Sequence, residues 1–358
     1  MLDSERTVWY TGAGTHGFAL LAGGVVPTSV LDKLAPRFEF DAAYRYLDAL
    51  EPGGGDAIPC FGGSSVPGHG SARLPRTAPF VFSEIVANPL IEQVVAAALG
   101  PRPYLNVYGG NLNFPGSGTQ ELHMDGVWAH SSEDVAAAAG VQWPPPPHQV
   151  IAQICPTGST TLSGATEVWP GSHLVTELAS TNKFIDGPGT RDRYAAAGEA
   201  RVSQHPPVRL EIPAGAVAFR DNRLFHRGVP NTGQAPRPML ALQYASRAVR
   251  DDLFANSTKL RSRLRPDQMP TDNHGNAISP EDRHVIFEDS EACRFAFSNP
   301  SPFGVDRNVA FVAGPLDYDG KPGELPTLLP SVVSNVVLPK WLSDYIEMHP
   351  TSARVASL

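Results

Sequence analysis

Three residues that are far apart in the sequence have the types and the spacing of metal ligands. His123 and Asp125 are two residues apart within Glu121–Gly126, so on a β-strand their side chains would leave the same face. His226 follows 226 − 125 = 101 residues later, which leaves room for several strands between them. Two histidines and one carboxylate on one face of a metal ion leave three coordination positions open. The alternative is structural, because a histidine and an aspartate at this spacing can simply hydrogen-bond to nearby loops.

Arg237 lies 237 − 226 = 11 residues after His226 and offers a partner for an anionic co-substrate. Three open positions suit a bidentate oxoacid and O₂, as in 2-oxoglutarate-dependent Fe(II) oxygenases. The far carboxylate of 2-oxoglutarate then needs a cation, and the planar arginine fork matches a carboxylate. We expect the turn from Pro230 to Pro236 to bring a strand beginning at Arg237 beside the one ending at His226. The alternative is a solvated arginine at a strand edge, since Arg237 stands between two prolines.

The elements that would position these residues are mostly short strands. Residues 18–50 predict a short strand and a helix, residues 81–99 an amphipathic helix, and residues 51–76 a long loop rich in Gly, Pro and Ser. Strands separated by turn residues are predicted over 104–114, 121–128, 149–155, 166–169, 207–212, 216–219 and 238–246. The proline-rich segment 130–148 predicts a surface excursion, because proline cannot donate to a sheet. This pattern is typical of an all-β sandwich or barrel.

Composition excludes several classes of function. The 28 basic and 36 acidic residues give a net charge of −8, which argues against nucleic acid and against an anionic membrane as partners. No apolar stretch reaches the length of a membrane span, and the first residues do not resemble a signal peptide. Three widely spaced cysteines predict no disulfide framework, so we expect a cytoplasmic, reducing environment.

A longer run carries a family resemblance. Gly164–His173, with the sequence GATEVWPGSH, resembles the N-G-A-T-x-x-x-P-G-S-H signature of the phytanoyl-CoA dioxygenase family. The order of His123, Asp125, this run, His226 and Arg237 is also similar to that family, over roughly residues 15–247. The resemblance implies a mainly β protein with flanking helices and a double-stranded β-helix (jelly-roll, cupin-like) core. We expect one domain over 1–358, with N-terminal helices at 18–100, the core at about 100–250 and a C-terminal extension at 250–358.

The resemblance also implies the roles of individual residues. His123, Asp125 and His226 would bind Fe(II), Arg237 the distal carboxylate of 2-oxoglutarate, and Thr166 and Gln120 would contact this co-substrate. Two positions depart from the family: Ser163 replaces the usual Asn, and Gly228 stands where a Ser is frequent. The remaining candidates are residues that would line a substrate pocket, namely Asn111, Asn113, Trp128 and His130. Asn111 and Asn113 share one face of a strand, so both should point into the pocket or neither.

The predicted function is oxidation, most simply hydroxylation, of a small secondary metabolite by Fe(II), 2-oxoglutarate and O₂, with release of succinate and CO₂. An acyl-CoA substrate is disfavoured, because no basic cluster is present to meet its phosphates. The alternative from another class is a cupin-like metal- or ligand-binding protein without redox turnover. A zinc hydrolase ranks lower, because no general base accompanies the ligands as in a His-Glu-x-x-His helix. The sequence leaves the substrate and the oligomeric state open.

Overall fold

The fold is mainly antiparallel β-sheet with flanking helices. The computed structural model describes residues 16–48, 66–72, 82–86, 88–100, 103–126, 130, 132–176, 205–246 and 338–348. The helices are α1 (Thr28–Asp48), α2 (Ser83–Val86), α3 (Pro89–Leu99), α4 (Glu133–Ala138) and α5 (Lys340–Met348). The strands are β1 (Phe18–Leu21), β2 (His69–Ala72), β3 (Tyr104–Asn113), β4 (Gln149–Ile154), β5 (Glu167–Val168), β6 (Val208–Arg209), β7 (Val217–Asp221), β8 (His226–Arg227) and β9 (Arg237–Ala245). The prediction of a mainly β protein with flanking helices is confirmed.

The strands form a large sheet and a small one. The large sheet has six strands in the order β1-β7-β4-β9-β3-β2, and the small sheet has three in the order β6-β5-β8. Every pairing in both sheets is antiparallel. Strands distant in sequence are therefore neighbours in space, which is how residues near 125 and near 226 can meet.

The two faces of the large sheet differ in polarity because side chains alternate along each strand. One face is apolar, and residues such as Tyr108, Phe219 and Leu242 pack there against α1 and α3 in the main core. The opposite face, which we call the inner face, carries polar residues at matching register positions. These are His69, Asn111, Asn113, Gln153, Arg220, Arg237 and Gln243. A sheet covered by helices on one side thus presents a polar surface on the other.

Helix α3 illustrates how the covering layer is fixed. Asn88 caps its first turn, since its side-chain oxygen accepts hydrogen bonds from the N–H groups of Leu90 at 3.0 Å and Ile91 at 3.3 Å. Pro89 occupies the first turn, where a missing N–H costs nothing. The buried residues Ile91, Val94, Val95 and Leu99 recur at helical spacing on one side. The same Asn88 amide donates to the carbonyl of Val25 at 2.9 Å, which ties the helix to the segment before α1.

The small sheet packs on the inner face. Val168 of β5 and Leu210, just after β6, lie in one apolar cluster with Ala218 of β7 and Met239 of β9. This second layer closes part of the inner face and leaves Asn111 exposed and Gln243 partly exposed. No helix within the described ranges is long and apolar enough to cross a membrane.

Three predictions about elements were wrong. The helix expected over 81–99 is two helices, α2 and α3, interrupted at the capping residue Asn88. The loop expected over 51–76 contains strand β2, whose sequence His-Gly-Ser-Ala gives no strand signal but pairs with β3. The strand expected over 121–128 is a single bridge at His123 within the part that the structure describes.

Candidate metal centre

The two predicted histidine ligands are held next to each other by the backbone. The N–H of His123 donates to the carbonyl of His226 at 3.0 Å, and the N–H of His226 donates back at 2.9 Å. This reciprocal pair joins the loop after β3 to β8 and places the two imidazole centroids 4.3 Å apart. The spacing between the rings therefore follows from strand pairing and does not depend on distant loops.

Each imidazole is oriented by a carbonyl two residues earlier in the chain. Nδ1 of His123 lies 2.8 Å from the carbonyl oxygen of Glu121, and Nδ1 of His226 lies 3.0 Å from that of Leu224. A carbonyl oxygen can only accept, so Nδ1 of His123 carries the hydrogen. Nδ1 of His226 is assigned the hydrogen as well, because the Leu224 carbonyl at 3.0 Å is nearer than the Nη1 donor of Arg220 at 3.4 Å. Both Nε2 atoms then present a lone pair to the space between them, which is the tautomer that a metal ion requires.

Asp125 completes the cluster from a tight turn against the segment after β7. Its N–H donates to the carbonyl of Asn222 at 3.1 Å, and the N–H of Gly126 donates to the same oxygen at 2.9 Å. A Cβ at position 126 would lie 2.6 Å from the amide nitrogen of Asn222, so this close approach requires glycine. The Asp125 carboxylate reaches within 3.3 Å of Nε2 of His226 and 3.8 Å of Nε2 of His123.

The three side chains fit a divalent metal ion. Their ligand atoms all lie within 4.8 Å of one another. Within the described part of the chain, they form the one cluster of at least three His, Cys, Asp or Glu side chains close enough to share a metal ion. Two nitrogen or oxygen donors about 2.1 Å from an ion at right angles are roughly 3 Å apart. Small side-chain rotations would bring these donors to that spacing. The structure thus brings together His123, Asp125 and His226, as the sequence predicts.

A buried arginine that the sequence did not single out lies against this cluster. Arg220 of β7 donates to Oδ2 of Asp125, and its Nη1 lies 3.4 Å from Nδ1 of His226. The Arg220 side chain is 4% exposed, whereas that of Asp125 is 35% exposed. Burial would raise the pKa of Asp125, but the Arg220 guanidinium, followed by the two imidazoles, holds this pKa well below its usual range. Asp125 is therefore ionised and ready to bind a cation.

Arg237 is buried at the start of β9 and has no acidic partner among the described residues. Its Nη2 donates to the carbonyl of Gly164 at 3.2 Å, and its Nε has no hydrogen-bond partner. Within the described residues no carboxylate pairs with it, so a buried positive charge is left available for an anion. The predicted neighbour was wrong: β9 pairs with β3 and β4 in the large sheet, and His226 belongs to the small sheet.

Gln120, His69 and Gly228 are packed against one another. Gln120 and Gly228 are joined twice, through the N–H of Gln120 to the carbonyl of Gly228 at 2.9 Å and the N–H of Gly228 to Oε1 of Gln120 at 2.8 Å. A Cβ at position 228 would lie 2.5 Å from that Oε1 and 2.6 Å from Cε1 of His69. A side chain at position 228, such as the serine expected from the family resemblance, would therefore require Gln120 and His69 to shift.

His69 also stands in a buried polar row with Arg237. It is directly opposite Asn113, which is directly opposite Arg237, so all three side chains share the inner face. Burial lowers the pKa of His69, the hydrogen bond between its Nε2 and the carbonyl of Gly118 at 2.7 Å opposes this, and Arg237 lowers it further. A neutral His69 thus lies in the same row as Arg237, with Asn113 between them. No pattern in the sequence points to His69, because the sequence predicts a loop where β2 lies.

The other predicted residues have different environments. Asn111 and Asn113 share the inner face, as predicted: Asn113 is buried and donates to the carbonyls of Gly164 and Val229, whereas Asn111 is exposed. Their role in binding a substrate stays a prediction. Thr166 and His130 are partly exposed. Trp128 lies outside the described residues.

Comparison with known proteins decides the family. A sequence model described as phytanoyl-CoA dioxygenase (PhyH) matches residues 15–239, which is more than half of the chain. The chain belongs to the phytanoyl-CoA dioxygenase family. The predicted resemblance is thereby confirmed, and Fe(II) and 2-oxoglutarate are the cofactors that this family and its curated relative imply.

Similarity to individual known proteins is low. The iron/α-ketoglutarate-dependent dioxygenase ausO of Aspergillus calidoustus is 28% identical over 182 residues, which are 49% of this chain and 53% of ausO. The chain thus spans about half the length of this curated relative. Among solved structures, AviO1 from Streptomyces viridochromogenes Tue57 is 20% identical, covers 69% of this chain and 97% of its own, and has a TM-score of 0.46. SnoN, a non-haem α-ketoglutarate-dependent epimerase from nogalamycin biosynthesis, is 18% identical and has a TM-score of 0.44. The match covers 68% of this chain and 82% of SnoN.

Proposed function

We propose that this chain is an Fe(II)- and 2-oxoglutarate-dependent dioxygenase that oxidises a small organic metabolite. In this proposal His123, Asp125 and His226 bind the iron, and Arg237 binds the distal carboxylate of 2-oxoglutarate. The observation that carries it is the convergence of two metal-ready Nε2 atoms and one ionised carboxylate in a member of this family. The single domain and the double-stranded β-helix core predicted from the sequence belong to the same proposal.

The bound iron would supply the activation of O₂ that protein side chains cannot provide. The chain's own residues have two tasks. The two imidazoles and Asp125 occupy one side of the metal and leave the other side for 2-oxoglutarate and O₂. Arg237, buried and unpaired with any described acid, holds the far end of the co-substrate and so fixes its approach.

The substrate would lie on the open part of the inner face. Gly109 of β3 is directly opposite Ala241 of β9, and these small residues leave room between the exposed Asn111 and the partly exposed Gln243. Two accessible amides favour an uncharged substrate with hydroxyl or carbonyl groups. We propose hydroxylation as the outcome, in which one oxygen atom of O₂ enters the substrate and the other enters the succinate formed from 2-oxoglutarate with loss of CO₂.

The decisive experiment separates an oxygenase from a redox-inactive binding protein. Anaerobic protein loaded with Fe(II) is titrated with 2-oxoglutarate, and a weak visible absorption band is expected when the oxoacid chelates the metal. Admission of O₂ should then consume 2-oxoglutarate and release succinate. His226→Ala should lose both responses, and Arg209→Met is the matched folding control because Arg209 pairs with Glu167 on the small sheet. Fe(II) binding with neither the band nor succinate would favour the cupin-like alternative and reject the proposal.

A further inference from the structure

Arg220 is the residue that fixes Asp125. Both imidazoles have their hydrogen on Nδ1, so in their neutral form they cannot donate to Asp125 through Nε2. Arg220 is therefore the side chain among the described residues that donates to this carboxylate, and it holds Oδ2. A hydrogen bond between two charged groups is about twice as strong as a neutral one.

The position of Arg220 in the sheet makes this contact rigid. Its strand β7 lies between β1 and β4, and Arg220 itself is directly opposite Phe18 on one side and Ile151 on the other. The guanidinium reaches the metal cluster from the inner face of the large sheet, while Asp125 is carried by the loop that pairs with β8. The contact therefore connects a ligand on a short loop to a strand in the interior of the large sheet.

We propose that Arg220 is a positioning residue that restricts Asp125 to a single ligand oxygen. A free carboxylate can bind a metal ion through both oxygens, and the protein would then fill four of six positions. Oδ2, which lies 3.3 Å from Nε2 of His226, already accepts from Arg220, so Oδ1, 3.8 Å from Nε2 of His123, is the oxygen without this contact and is left to bind the ion. Three positions then stay open, which a bidentate oxoacid and O₂ together need. This inference rests on the proposed function and adds a reason for a positive charge beside a cation site.

Water relaxation measures the number of open positions directly, without turnover. Mn(II) is an octahedral, oxygen-preferring ion that can replace Fe(II) in such a site. In the absence of 2-oxoglutarate, wild-type protein should hold about three waters on Mn(II) and Arg220→Met about two, so the relaxivity of the bound ion should fall by roughly one third. Arg220→Lys, which keeps a charged donor, should stay near the wild-type value. Arg209→Met should equal wild type.

A second measurement links this geometry to the co-substrate. In the anaerobic Fe(II) protein, Arg220→Met should weaken 2-oxoglutarate binding about tenfold or more, while Fe(II) binding is kept. Arg220→Gln is the backup if Arg220→Met does not fold, since it keeps a polar group but is too short to reach Asp125, and it should show the same losses.

The outcomes separate the inference from the proposed function. Wild-type relaxivity and wild-type 2-oxoglutarate affinity in Arg220→Met, or in its backup, would overturn the positioning role. Loss of the metal itself from Arg220→Met would also overturn it, because Arg220 would then be needed for metal binding and not for its geometry. A wild-type protein that holds Mn(II) with three waters but never binds 2-oxoglutarate would sink the proposed function and leave the role of Arg220 intact.

Discussion

The buried imidazole of His148 should make the stability of this protein depend on pH. His148 lies one residue before β4, beside the ion pair of Asp221 and Arg223, in which Arg223 Nη2 donates to Asp221 at 2.6 Å. Burial first, then the charges of Arg223 and His130, lower the pKa of His148 to about 4, while Asp221 acts in the opposite direction. In the unfolded chain the pKa of a histidine is about 6.5.

The sign and size of the effect follow from this difference. Above about pH 6.5 His148 is neutral in both states, so its titration does not change the free energy of unfolding there. Between about pH 6.5 and pH 4, His148 is protonated in the unfolded chain but still neutral in the folded protein. The free energy of unfolding therefore falls as the pH falls. For pKa values of 6.5 and about 4, the loss between pH 7.5 and pH 5 is about 2 kcal/mol.

Urea unfolding of wild type and His148→Gln at about pH 7.5 and about pH 5 tests this value. Glutamine stays neutral throughout, so the variant should lose about 2 kcal/mol less than wild type over the same interval, whatever its own starting stability. Comparison of the two intervals removes the contributions of all other titrating groups. Equal pH dependence in the two proteins would refute the reasoning, as would an NMR titration of His148 with a midpoint near its unfolded value.

Three further predictions concern the co-substrate pocket and the helix layer. Arg237→Ala should raise the Kd for 2-oxoglutarate about 10- to 100-fold with unchanged Fe(II) binding, because charged hydrogen bonds contribute about 1.5–3 kcal/mol; an unchanged Kd in the anaerobic titration contradicts the anchor. Gly228→Ser should weaken 2-oxoglutarate binding, because the new Cβ contacts Gln120 and His69. The double variant Gly228→Ser/His69→Ala should regain part of the lost affinity. If it does not in the same titration, the contact with His69 is not the cause of the weaker binding. Asn88→Ala should lower the free energy of unfolding by about 1–2 kcal/mol through loss of the α3 cap, and a thermal melt that matches wild type would contradict this.

The sequence predicts the parts of the site that depend on residue type and chain order. His123, Asp125 and His226 are recognisable because two ligands share a short motif and the third follows at a distance that a β fold can span. The signature at 164–173 predicts the family, and the family match confirms this prediction. The ligand and co-substrate roles of these residues stay predictions.

What the sequence could not predict depends on long-range pairing. Arg220 contacts a residue 95 positions away, and an arginine among the apolar residues of β7 carries no local mark of that partner. Strand β2 lacks β-branched or aromatic residues and exists because β3 offers it an edge. The predicted pairing of the Arg237 strand with the His226 strand is wrong for the same reason. The turn before Arg237 leads into the large sheet, whereas His226 lies in the small sheet.

The reciprocal backbone bond between residues 123 and 226 has a consequence for how the protein matures. The imidazole pair is assembled by the polypeptide itself, and a guanidinium already neutralises the acidic ligand, so the frame can form before any ion arrives. Loading then becomes a late and reversible event. Protein stripped by a chelator should regain its metal on simple addition, without passing through the unfolded chain, and an ion lost to oxidation can be replaced in the mature molecule.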